Sequence, residues 1–153
     1  MKEKLVYILF FMIFVGCSSS NYHMDYNEKI NFRAVADEYF SKYNFAYFEN
    51  LNKSNIAIHS VFIEGDKLSL DNFKEIKLKI EKKWKLVYLA EDQFVFCLNN
   101  YNEMSIINPK KLDYYNVFDE KLYIKPQSIN NWLITFKYDE DGTRYCNRFI
   151  DEK

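Results

Sequence analysis

Apolar side chains fall along this chain in three kinds of spacing. The first is an unbroken run, Leu5 to Val15, eleven residues long. The second steps by three and four: Phe32, Val35, Ala36, Tyr39, Phe40, Tyr43, Tyr47 and Leu51 recur that way. Arg33, Asp37, Glu38, Lys42 and Glu49 fall mostly between them. That period predicts one long amphipathic helix over 28–51, and Asp25 with Glu28 has the spacing of a capping box at its start. The polar run Asn50 to Asn55 ends it.

The third kind is alternating or β-branched, and it dominates the rest. Ile56 to Ile63 reads as a strand. Glu64 to Lys67 forms a turn, from which Lys67 to Leu70 can pair back. Phe73, Ile76, Ile80 and Trp84 fit a helix capped by Asp71. Ile76, Leu78 and Ile80, alternating with charged residues, fit a strand as well. Length, charge and the cap favour a second helix over 71–83. Lys85 to Leu89 and Gln93 to Asn99 form a hairpin, with Phe94, Phe96 and Leu98 on one face and Gln93, Val95, Cys97 and Asn99 on the other. Met104 to Ile107 is a short strand closed by Asn108-Pro109, residues 110–120 are looped, and Leu122 to Lys125 is a short strand. Trp132 to Tyr138 and Thr143 to Ile150 read as a hairpin around Asp141-Gly142. There Cys146 shares a face with Arg144 and Arg148. The expected fold is α+β, with the long helix packed on a mainly antiparallel sheet.

Length decides what the first run can be. A bilayer takes about 20 apolar residues, and Leu5 to Val15 reaches only about 17 Å at about 1.5 Å per residue. It has the size of a secretory signal core, with Lys2 and Lys4 as its basic flank. Gly16 is small and Cys17 follows it. Phe14-Val15-Gly16-Cys17 resembles the lipobox of bacterial lipoproteins, with Phe14 where that class most often has Leu. The Ser18-Ser19-Ser20 run resembles the tether found after a lipobox. The resemblance implies cleavage between Gly16 and Cys17. It also implies a diacylglycerol thioether on Cys17 and an acylated amino terminus, which together give stable membrane attachment. Ser18 implies the outer membrane, facing the periplasm, if the cell is Gram-negative. The chain then divides into a signal peptide at 1–16, a lipidated tether at 17–25 and one α+β domain at 26–153.

Composition narrows the partners. Lys and Arg total 21 against 22 Asp and Glu, so no basic surplus suggests nucleic acid. Gly and Pro are scarce, at three and two, which disfavours long flexible linkers. The 14 Phe and 13 Tyr are ample for a core. Of the three cysteines, Cys17 takes lipid. Cys97 and Cys146 then remain as a disulfide pair in an exported protein, and their strand faces put the cross-link near the surface.

Candidate chemistry is sparse. Asp139 to Gly142 has part of a calcium-loop pattern, but the alignment puts Lys137 and Arg148 where acidic ligands belong. A turn fits better, and no metal or cofactor is expected. His23 lies in the tether and His59 in a strand, neither with an identifiable partner, so both read as ordinary polar residues. No nucleophile elbow, S-x-x-K or G-x-G-x-x-G is present. The expectation is a non-enzymatic binding domain held at a membrane, of an envelope-assembly or toxin-immunity type. The alternative is a small-molecule binder or enzyme, because the Phe32-to-Leu51 helix followed by strands resembles the opening of the NTF2-like fold.

Overall fold

The computed structural model describes residues 28–90 and 92–150. The signal peptide, the lipobox with Gly16 and Cys17, His23, the tether and Asp25 lie outside the described residues. The elements in order are α1 (Phe32–Phe40), β1 (Ala46–Asn52), β2 (Ile56–Ile63), α2 (Leu70–Ile80), β3 (Lys85–Ala90), β4 (Gln93–Cys97), β5 (Asn102–Ile107), β6 (Asp113–Tyr115), β7 (Lys121–Tyr123), β8 (Trp132–Asp139) and α3 (Arg144–Phe149). Six strands form one antiparallel sheet in the order β1-β2-β8-β5-β4-β3, and β6 pairs with β7 beside it. The fold is α+β with a mainly antiparallel sheet.

The long helix over 28–51 is not there. Asn31 caps α1, its side chain accepting from the Ala34 amide at 3.0 Å. The helix tightens into a 3-10 turn at Ser41–Tyr43, and Asn44 then takes a left-handed conformation with φ 48°. That reverses the chain into β1, which pairs with β2. Tyr43, Tyr47 and Leu51 misled because a four-residue step satisfies a strand's period of two as well as a helix. The resemblance to the NTF2-like opening rested on that long helix, so it loses its second half.

The second helix is present as α2. Its cap is Ser69, which accepts from the Asn72 amide at 3.2 Å, with Asp71 inside the first turn. Residues 67–70 therefore lead into a helix and do not pair back. The β3–β4 hairpin has the expected faces. Residues 110–120 hold β6, which pairs with β7.

The final hairpin is also absent. Thr143 to Ile150 is not a strand, because β8 already bonds β2 on one side and β5 on the other. A central strand has no edge left to offer. The Asp-Gly turn forms, with Gly142 at φ 90°, but it launches α3 across the sheet instead.

One face of the sheet carries the core. Phe32, Ala36 and Phe40 of α1 and Phe73, Ile76 and Ile80 of α2 pack on it. Phe73 lies 4.4 Å from Trp132 and Phe32 lies 5.4 Å from Phe136, ring centre to ring centre. On the other face, α3 covers β3, β4 and β5. Tyr145 there packs against Tyr88 and Phe118, and burial pushes its phenol up to about 12. Arg144 stacks 3.7 Å above Phe118. Over β1, β2 and β8 no described element covers the same face: Ile58, Phe62, Leu133 and Thr135 are half-buried, and Phe48 is 53% exposed.

Candidate binding sites

A wide cleft, about 690 Å³, lies at one end of the sheet. It forms where the β2–α2 turn meets the segments that follow β5 and precede β8. Three asparagines fix its floor. Asn108 donates to the carbonyls of Asn130 and Asn131, both at 3.1 Å. Asn131 accepts from the Gly65 amide at 2.9 Å and donates to the Gln127 carbonyl at 2.8 Å. Asn130 sits at φ 64°, a conformation Asn tolerates better than most residues, and Lys110 reaches its side-chain oxygen at 3.2 Å. Gly65 packs so closely that a Cβ there would collide with the Asn130 carbonyl. The walls add Phe62 and Leu70 on the apolar side and Glu64 and Asp66 on the acidic side. The lining residues include no imidazole and no thiol. The amides are engaged within the loops, which holds the shape of the cleft.

A smaller cavity, about 250 Å³, sits under the first turn of α1. Its floor is His59, only 6% exposed on the core face of β2. The Tyr47 hydroxyl lies 2.7 Å from His59 Nδ1. His59 therefore has the partner that the sequence failed to supply. The misreading of β1 as helix hid it: only as a strand beside β2 can Tyr47 face the same side as His59. Burial, with the Lys29 charge, lowers the imidazole below its ordinary value, against the pull of Glu49. Burial, then the Glu49 charge, pushes the Tyr47 phenol up to about 12. The ring stays neutral near pH 7 and so does the phenol. Lys29, Arg33, Glu49 and Asn52 complete the lining.

Cys97 and Cys146 are brought to disulfide-bonding distance, with Cα atoms 5.6 Å apart. They do not lie near the surface as expected: Cys97 is 1% exposed and Cys146 is fully buried. Cys97 does occupy the less apolar face of β4, but α3 covers that face. Arg144 and Arg148 no longer share a strand face with Cys146. As residues i and i+4 of a helix they straddle Phe118.

Among the described residues, no group of three or more His, Cys, Asp or Glu is placed to hold a metal. No helix among them is long and apolar enough to cross a membrane. The chain matches no known family model, no curated protein and no solved structure.

Proposed function

We propose that the chain is a membrane-tethered lipoprotein whose α+β domain is a non-enzymatic binding module outside the cytoplasm. The observation that carries this reading is how the three cysteines divide. Cys17 stands in a lipobox-like Val15-Gly16-Cys17 behind a basic, signal-length apolar run. Cys97 and Cys146, far apart in sequence, lie at bonding distance in the folded domain, as suits an oxidising compartment. Acyl chains on Cys17 hold the protein at the membrane, the outer membrane facing the periplasm in a Gram-negative cell.

The wide cleft supports binding over catalysis. Its floor is held by amide hydrogen bonds and its rim carries Leu70, 57% exposed, beside Glu64, Asp66 and Lys110. A polar rim around an apolar contact suits a protein partner: an envelope component, or a toxin that the protein neutralises on arrival.

Two experiments test the reading. Cells expressing wild type or Cys17→Ala are fed labelled fatty acid and fractionated. Wild type takes label and sediments with membranes, and the variant does neither. An unlabelled wild type overturns the anchor. Wild type and a Leu70→Asp/Lys110→Glu variant are then used to capture partners from solubilised envelope. The same proteins on both baits, or none on wild type, removes the cleft from the interface.

A further inference from the structure

The cavity under α1 has one cationic wall and one anionic wall. Lys29 and Arg33 come from the helix side. Lys29 Nζ donates to the Asn52 side chain at 2.9 Å and to the Lys53 carbonyl at 3.0 Å, and Arg33 Nε pairs with Asp37 at 3.1 Å. Glu49 comes from β1, directly opposite His59 in the strand register, and accepts from Asn52 at 3.3 Å. With His59 neutral, the two cations balance Glu49 and Asp37. A simple anion entering would meet the Glu49 carboxylate, and a simple cation would meet an ammonium and a guanidinium.

We propose that this cavity binds a small zwitterion, a free α-amino acid, with its carboxylate toward Lys29, Arg33 and His59 and its ammonium on Glu49. The floor supports the orientation. Tyr47 occupies His59 Nδ1, and Nε2 has no hydrogen-bond partner among the described residues. With Tyr47 donating to Nδ1, Nε2 carries the proton and donates to the ligand. That leaves Nε2 open to the cavity, where the ligand carboxylate would accept from it. The first turn of α1 adds to the same wall. Asn31 caps the Ala34 amide, while the amides of Phe32 and Arg33 belong to the turn that has no acceptor within a helix and favours negative charge. The volume, about 250 Å³, falls below the roughly 300–1,000 Å³ of ordinary ligand pockets, which restricts the ligand to a few heavy atoms. This inference stands apart from the anchor and from the wide cleft.

The test is calorimetry on the full-length chain in detergent micelles. The probes are glycine, alanine and serine, with acetate and methylammonium as the separated halves. A small amino acid binds, and either half alone binds at least about tenfold more weakly. Glu49→Gln and Arg33→Gln, both at exposed side chains, each weaken binding by at least about tenfold. Glu75→Gln on α2 leaves it unchanged. Far-UV circular dichroism verifies that each variant is folded. Absence of binding by all three amino acids overturns the proposal. Acetate binding as tightly as the amino acid, or Glu49→Gln without effect, does so as well, and would leave a plain anion site.

Discussion

Reducing the Cys97–Cys146 cross-link should cost this domain a large share of its stability. The two residues are separated by 49 positions. Closing a loop of that size restricts the unfolded chain by about 4 kcal/mol in the loop-entropy account, against a whole-domain stability of about 5–15 kcal/mol. The local structure leaves little to offset the loss. α3 has six residues, and Thr143 at its start makes no side-chain capping bond. Such a short helix does not hold itself, and Cys146 is its only fully buried member. Equilibrium urea unfolding, followed by fluorescence of Trp84 and Trp132, should be compared with and without reductant. At a slope of about 2 kcal/mol per molar urea, the midpoint falls by about 2 M. The slope itself rises, because the reduced unfolded chain exposes more surface. A double Cys97→Ala/Cys146→Ala variant should match the reduced protein. Thiol titration of the unreduced, unfolded chain should find neither Cys97 nor Cys146 free. If oxidised and reduced midpoints coincide, the cross-link either does not form or lies outside the cooperative unit, and the argument fails.

Asn102 is fully buried and donates to the Glu28 carbonyl at 3.1 Å while accepting from the Ile30 amide at 3.5 Å. Asn102→Ala leaves those groups unpaired and should cost about 2–3 kcal/mol in chemical denaturation; a loss under about 0.5 kcal/mol contradicts it. Gly65→Ala drives a Cβ into the Asn130 carbonyl, so thermal unfolding should show a loss of about 1–3 kcal/mol, larger than for Ala at exposed Asp66. Glu103 is buried, and burial raises its carboxyl against the pull of the Ser105 hydroxyl and the Lys137 charge. A raised carboxyl binds its proton more tightly when folded, so stability is present at low pH and lost as pH rises through the folded value. Glu103→Gln should therefore melt higher than wild type at neutral pH, with the gap closing on acidification; a wild type that melts higher at neutral pH shows that Lys137 outweighs burial.

The parts of the fold that could be read in advance are those whose pattern admits one period. Ile56 to Ile63, apolar and β-branched, and Trp132 to Tyr138 are β2 and β8, buried on alternate positions. α2 carried a cap and enough length. The errors came where local pattern was ambiguous and distant pairing decided. Tyr43, Tyr47 and Leu51 fit both periods, and only Asn44 in the left-handed region separates α1 from β1. Thr143 to Ile150 looked like the return strand of a hairpin, but β2 and β5 had claimed both edges of β8. Tyr145 and Phe149, four apart, were the helical signal there. The cysteine pair was legible from its count. Its burial was not, because that depends on α3. The Tyr47–His59 pair required β1 first.

The strand order also sets a timetable. Residues 56–63 and 102–107 meet only through residues 132–139. A chain halted before Trp132 holds two separate pieces, the β1–β2 hairpin and the β3–β4–β5 meander, each with a bare edge facing the gap. The sheet cannot close until β8 has emerged, so pairing is long-range and slow. α3 and Cys146 follow β8, and their arrival beside Cys97 comes last. The cross-link thus acts as a latch on a finished sheet. A chain cut short before Cys146 stays unlatched, with the bare strand edges open to proteolysis.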